Sequence, residues 1–350
     1  MPETPRRILV IKPSALGDIV HALPTLSSLR ASFPDAQIAW LVRPAYASLL
    51  EYTQKVNEII LFDRKRLGRW WFSPAAAVEL GKFVRTLRSR RFDCVIDLQG
   101  LLRTALFSAL SGCRNRYGFR ETREGAWLLY THRITLPESC VHVIDSYWEI
   151  ARAAGATIRR LEYGLQVSED TRHGALELLN RSGCRTDAYG VLVAGSTQPW
   201  KCWPLERFAR LAERMAEELE LSIVAVGSEG ERPLVEQLQS LSRVPIVNLA
   251  GRTDIGQLIA SMASARIVVS NDTGPGHIAV ASGTPTVMIF GPTNPARVGP
   301  YGHPDWIAAV DPFGRGRIIN HFDPRYRIET ISVDQVFEIV RRQFAKSTKR

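Results

Sequence analysis

The chain has 350 residues, 45% of them hydrophobic and 23% charged, which is long for one ordinary domain and too apolar for a disordered segment. Lys and Arg outnumber Asp and Glu by 45 to 35, giving a net charge of +10 and a pI near 9.6. The expected partners are therefore anionic: nucleic acid, an acidic membrane surface or a phosphorylated substrate.

In chain order, residues 8–11 form a short apolar run followed at once by Lys12. That is no secretory signal but the pattern of a strand buried on both faces of a parallel sheet. Residues 18–33 have helical spacing, with Ile19, Leu23, Leu26 and Leu29 along one side. Residues 38–42 and 59–62 read as strands, 74–90 as a long helix and 94–97 as a fourth strand. Near 155–187 the apolar runs lapse and Arg, Glu, Ser and Gly become common, so the interdomain connection is placed there.

The second half repeats the alternation. Strands are predicted over 190–194, 222–226, 246–249, 267–270 and 285–290, and helices over 205–219, 231–241, 255–265, from about Gly274, and over 333–344. The longest stretch without an acidic or basic residue, 277–296, holds Gly283, Pro285, Gly291, Pro292 and Pro295. Those residues would break a membrane helix, so membrane contact is expected to be peripheral. Five cysteines (Cys94, Cys113, Cys140, Cys184, Cys202) form no CxxC pair, which argues against a disulfide framework or a zinc site and fits a reducing cytoplasm. The expected fold class is α/β, with two Rossmann-like, doubly wound parallel-sheet domains over 1–170 and 171–350. They are expected to face each other across a cleft, the last helix being able to pack back on the first domain.

Four segments sit where strands end, the edge at which open parallel sheets bind ligands. Lys12-Pro-Ser-Ala-Leu-Gly-Asp-Ile-Val-His21 follows the first strand. Asp18 is either a helix cap or a carboxylate able to take a proton from a hydroxyl, and His21 lies one helical turn on. Ala194-Gly-Ser-Thr-Gln-Pro-Trp-Lys-Cys-Trp-Pro204 combines the hydroxyls of Ser196 and Thr197 with Lys201, a plausible polyanion cradle flanked by Trp200 and Trp203. Val226-Gly-Ser-Glu-Gly-Glu231 offers a carboxylate to ribose hydroxyls or, equally, a first-turn helix acid. Asn271-Asp-Thr-Gly-Pro-Gly-His277 is a glycine-rich turn into a helix, where backbone N–H groups favour an anion. Asp272 there must face away from a diphosphate, and Gly274 and Gly276 are read as letting a ligand approach the backbone. Arginines recur in the first half, among them Arg64, Arg66 and Arg69 beside Trp70 and Trp71, and Arg114, Arg116, Arg120 and Arg123 beside Tyr117 and Phe119. That mixture suits an anionic, partly apolar partner.

Together these blocks, with Val95-Ile-Asp-Leu-Gln-Gly100 and Phe290-Gly-Pro-Thr293, resemble the ADP-heptose:lipopolysaccharide heptosyltransferase family over nearly the whole chain. His21 after Gly17-Asp-Ile-Val favours the first heptosyltransferase type over the second. The resemblance implies a GT-B fold and an inverting, metal-independent transfer of heptose, with ADP-heptose as donor and no cofactor. The implied acceptor is a Kdo hydroxyl of Kdo-modified lipid A, at the cytoplasmic face of the inner membrane. It makes Asp18 the general base and gives the diphosphate to Ser196, Thr197, Lys201, Thr273 and Gly274. Asp272 and His277 complete the donor site, and Glu231 meets the adenosine ribose, with Glu229 the alternative because the acid stretch after Gly227 is shorter than in the family. His21, Lys65, Arg66, Arg69 and Arg123 fall on the acceptor side. The rival readings are a relative with another heptose acceptor or nucleotide sugar, and a non-catalytic nucleotide- or nucleic-acid-binding protein. No zinc-finger, RNP or helix-turn-helix pattern supports nucleic acid, and no GxGxxG supports a dehydrogenase.

Overall fold

The structure, a computed structural model, describes residues 4–63 and 72–347, and the chain divides into two compact units, Met1–Gln166 and Val167–Arg350. The first unit is built on β1 (Arg7–Ile11), β2 (Gln37–Val42), β3 (Glu58–Leu61), β4 (Cys94–Asp97), β5 (Arg116–Phe119) and β6 (His132–Ile134). All neighbouring pairs are parallel, in the order β3-β2-β1-β4-β5-β6. The central strands β1 and β4 are almost wholly buried, as continuous apolar runs covered on both faces must be. Helices α1 (Leu16–Ser32), α2 (Pro44–Glu51), α3 (Pro74–Ser89), α4 (Leu102–Leu110) and α5 (Val143–Ala153) provide that cover.

The second unit repeats the plan with β7 (Tyr189–Val193), β8 (Ser222–Ala225), β9 (Ile246–Asn248), β10 (Ile267–Asn271), β11 (Thr286–Phe290) and β12 (Ile307–Ala309). These too are all parallel, in the order β12-β11-β10-β7-β8-β9. Around them lie α6 (Glu169–Arg181), α7 (Leu205–Leu219), α8 (Arg232–Leu241), α9 (Ile255–Ser264), α10 (Gly274–Ala281) and α11 (Val333–Ser347). Both sheets thus place the first and fourth strands of their unit side by side at the centre. Successive connections leave from that pair in opposite directions, opening a crevice at the carboxyl ends: β1/β4 in one unit, β7/β10 in the other.

Several sequence expectations need correction. Helix α1 begins at Leu16, so Asp18 is its third residue rather than its cap. The boundary between the units falls within 155–187, but that stretch also contains the unexpected helix α6, whose only buried residues are Ala175 and Leu179; so solvated a helix leaves little apolar periodicity to read. Strand β5 and the edge strands β6 and β12 are only three or four residues long and escaped the strand pattern. The last helix, α11, packs on α7 and on β10, β11 and β12 of its own unit.

In the second unit one buried side chain ties the two central strands' loops together. Asn271 ends β10 and is fully buried; its Nδ2 donates to the Ala194 carbonyl at 2.7 Å, and its Oδ1 accepts from the Trp203 N–H at 3.0 Å. Trp203 in turn donates through Nε1 to the Ile331 carbonyl at 2.9 Å. Asn271→Ala would leave a buried carbonyl and a buried N–H without these partners, each costing ~1–3 kcal/mol. The variant should therefore lose roughly 2–4 kcal/mol of unfolding free energy in urea titrations. A loss below about 0.5 kcal/mol, the range of an ordinary surface change, would show that this side chain does not hold the crossing.

Candidate functional site

In the first unit the crevice edge is formed by the loops after β1 and β4. Lys12, only 4% exposed, leaves the β1 end and donates through Nζ to the Leu98 carbonyl at 3.4 Å, so it spans the two loops. Its ammonium lies 3.9 Å from Asp18 Oδ2 and 5.2 Å from the centre of the Tyr147 ring. Burial works against its charge, but Tyr147, Asp18 and Asp97 more than offset that and raise its pKa above the ordinary lysine value. Asp18 Oδ2 also accepts the Ala15 N–H at 3.0 Å, while 44% of its side chain stays exposed. The result is a carboxylate anchored by backbone and ammonium on one side and open to a ligand on the other.

His21 does not share that opening. Its side chain is buried, and its ring meets His142, the N-cap of α5, edge-on at 5.6 Å. Arg123 opens a short 3-10 turn over Arg123–Leu129, but its side chain lies outside the described residues, as do Lys65, Arg66 and Arg69. The sequence reading assigned no role to Asp97, which the structure places at the end of β4, fully buried. Its Oδ2 accepts from the Tyr130 hydroxyl at 2.8 Å, and its Oδ1 from the N–H groups of Gln99 and Gly100 at 2.9 and 3.2 Å. Burial raises its pKa against those donors. Asp97 therefore braces the β4 loop. Its signal was available as the one acid within Val95-Ile-Asp-Leu-Gln-Gly100.

In the second unit the loops after β7 and β10 bring Lys201, Asp272, Thr273 and His277 together. Lys201 Nζ pairs with Asp272 Oδ2 at 2.5 Å, and His277 Nε2 lies 3.2 Å from Asp272 Oδ1. Burial by itself would push the Asp272 carboxyl up. The His277 hydrogen bond and the Lys201 charge outweigh it and hold the pKa at about 2. Asp272 thus keeps its charge with both oxygens occupied. The Trp200 ring lies 5.3 Å from the Lys201 ammonium and meets Phe322 edge-on, so the cation is confined on its apolar side. Phe322, some 120 residues downstream of Trp200, gave no signal in the sequence.

Thr273 is the N-cap of α10, yet its hydroxyl makes no capping bond. By position the first-turn N–H groups of Gly274 and Gly276 have no helical partner, and Pro275 has none to offer. A helix start whose first-turn N–H groups have no helical partner, with the Thr273 hydroxyl touching only the Ser270 Oγ at 3.4 Å, is suited to an anion. Gly276 has a packing role rather than the expected ligand approach: a Cβ there would fall 2.8 Å from the Ser270 Cβ and 3.2 Å from the Met288 Cε. Ser196 and Thr197 occupy the β7 loop, and Thr197 is exposed.

The two acids after β8 have different surroundings. Glu229 is held by Arg232 at 2.6 Å. Glu231 accepts the Ser228 N–H at 2.7 Å through Oε2 and lies so close over Gly195 that a Cβ there would collide with its carboxylate. Of the two, only Glu231 reaches the β7 loop.

Comparison with known proteins follows the same lines. The family profile of glycosyltransferase family 9 (heptosyltransferase) matches residues 80–312. A lipopolysaccharide core heptosyltransferase, OpsX, of Haemophilus influenzae is 28% identical over 88% of this chain and 85% of its own. Lipopolysaccharide heptosyltransferase 1 of Pseudomonas aeruginosa is 30% identical over 85% of this chain and 81% of its own. Among solved structures, Escherichia coli heptosyltransferase WaaC with ADP superposes with a TM-score of 0.76 at 23% identity, covering 96% of this chain and 99% of that one. At that identity the likeness speaks for the GT-B fold.

The charge on Asp272 sets a pH dependence with a definite sign. Its folded pKa of about 2 lies below the ordinary 3.8, so it stabilises the fold above the ordinary value and loses that contribution as pH falls toward 2. The stability difference between the native protein and Asp272→Asn should reach about 2 kcal/mol near neutrality and shrink between about pH 4 and pH 2. Denaturant titrations across that range give the difference, and a pH-independent gap would contradict an ionised, paired Asp272.

Proposed function

The chain belongs to glycosyltransferase family 9, the heptosyltransferases, and from that premise we propose that it moves heptose from ADP-heptose to a Kdo hydroxyl of Kdo-modified lipid A, with inversion at the anomeric carbon. The observation that carries this reading is the Lys201–Asp272–His277 cluster at the head of α10, a place for a diphosphate. The names of the relatives, lipopolysaccharide core heptosyltransferase and heptosyltransferase 1, support the reaction. The presence of ADP in the WaaC structure supports the donor.

In the proposed mechanism the acceptor hydroxyl bonds to the anomeric carbon while its proton passes to the Asp18 carboxylate. The bond from that carbon to the β-phosphate oxygen breaks, and the electron pair leaves with ADP. Lys201, the hydroxyls of Ser196, Thr197 and Thr273 and the Gly274 N–H stabilise the growing charge, with no metal invoked. Asp272 and His277 orient Lys201, so a carboxylate next to a diphosphate is tolerable because its own charge is already met. Glu231, whose Oε1 lies against the β7 loop, takes the adenosine ribose in preference to Glu229. Lys12 holds Asp18, and Lys65, Arg66, Arg69 and Arg123 serve the acidic acceptor, whereas buried His21 packs against His142. The enzyme works as a peripheral protein at the cytoplasmic face of the inner membrane. Among the described residues no helix is long and apolar enough to cross one.

Asp18→Ala should bind ADP-heptose normally in calorimetry yet lose about 10²–10⁴-fold in transfer rate; near-normal turnover would remove its role. Lys201→Ala should instead weaken donor binding and rate together, and unchanged kinetics would count against the diphosphate assignment. Mass spectrometry of transfer from ADP-heptose to Kdo-modified lipid A, with and without a chelator, tests the whole reading. A panel of other nucleotide sugars and heptosylated acceptors separates it from a paralogous activity.

A further inference from the structure

Helix α4 departs from the rule that a solvent face is polar. Thr104, Ala105, Phe107 and Ser108 point inward, and the opposite face carries Leu102 and Leu106, 38% and 42% exposed, preceded by Leu101 at 38%. The 3-10 turn Arg123–Leu129 is packed beside it: Ala126 of the turn shares a buried cluster with Ala105 and Tyr130, and Glu124 accepts the Leu102 N–H. That turn adds Leu128, 61% exposed. Helix α3 packs on α4. Scattered exposed leucines need no explanation; a contiguous group does.

Charge identifies what covers the group. The first unit, residues 1–166, has 24 Lys and Arg against 15 Asp and Glu, while residues 167–350 have 21 against 20. Nearly all the excess positive charge is therefore on the unit that carries the apolar face. Arg103 lies between Leu102 and Leu106, and Lys82 and Arg85 are exposed on α3; none of the three makes an ion pair among the described residues. Apolar side chains set among unpaired cations match the interface of an anionic bilayer, where the leucines enter the acyl boundary and the cations meet headgroup phosphates.

We propose that the exposed face of α4 and the adjoining turn, built on Leu102, Leu106 and Leu128 with Arg103, seats the protein on an anionic lipid bilayer. The face begins directly after Gly100, whose N–H is held by Asp97 at the carboxyl edge of the first sheet. Seating there brings a membrane-anchored hydroxyl to the crevice edge that holds Asp18. This relevance to turnover rests on the function proposed above, whereas the lipid contact itself does not.

The test uses the full chain and Leu106→Glu/Leu128→Glu, with Leu106→Ser/Leu128→Ser as a milder pair should the first fail to fold by circular dichroism. Co-sedimentation with vesicles of phosphatidylglycerol and phosphatidylethanolamine should show the variant binding roughly tenfold more weakly than the native chain. The native chain should bind phosphatidylcholine vesicles weakly and release anionic ones as salt rises. Transfer to a deacylated, soluble Kdo acceptor should be unchanged in the variant, and transfer to vesicle-embedded acceptor should fall by about the same factor as binding. Equal vesicle binding by variant and native chain overturns the proposal, as does a concentration-dependent self-association that the substitutions abolish. If the native chain seats on vesicles but transfers heptose to neither acceptor, the proposed reaction fails and the lipid surface stands.

Discussion

In both sheets the connections leave the central strand pair in opposite directions, and the rest of the chemistry depends on that reversal. It opens a crevice at the carboxyl ends of β1 and β4 and another at those of β7 and β10. A gap between diverging loops must be held, since nothing in the sheet ladder ties one loop to the other. In the first unit Lys12 does this by reaching the Leu98 carbonyl, and in the second Asn271 does it by bonding both Ala194 and Trp203. Each spanning residue is buried, where an unmade hydrogen bond is costly, and so each fixes the mouth beside it.

The two carboxylates at these mouths differ in the way the proposed reaction would require. Asp272 is buried and saturated, with one oxygen on Lys201 and the other on His277. Such a group stays charged and positions its partners, and its lowered pKa makes it a poor acceptor for a substrate proton. Asp18 is held through one oxygen by a backbone N–H and a nearby ammonium and remains half open to solvent. That open side is the one the proposed reaction would use. Asp97 is a third case, buried and spent entirely on Tyr130 and the β4 loop.

Under the proposed function the charge of the whole molecule divides in the same way. A nucleotide diphosphate is small, and a local cluster of one lysine, hydroxyls and a helix start can meet it within a nearly neutral unit. An acceptor carried in a membrane is extended and negatively charged, and a broad positive field with an apolar patch is the form of surface that recruits it. The first unit, with most of the excess arginine and lysine, has that form.

Much of this was legible in the linear chain because it is local. A strand buried on both faces must be continuously apolar, so the central strands β1, β4, β7 and β10 and the loops leaving them could be read directly, and with them Asp18, Lys201 and the Asn271–His277 turn. Short edge strands such as β12 and a solvated helix such as α6 bury too few residues to leave a periodic trace. Neighbours far apart in sequence had to await the tertiary structure. Lys201 meets Asp272 across 71 residues, His21 turns inward to His142, and Gly276 is small for the sake of Ser270 rather than a ligand. Sequence spacing determined which residues stand at the strand ends; only the packing of loops from different strands decided which charges touch, because Coulomb and hydrogen-bond energies depend on distance through space and not along the chain.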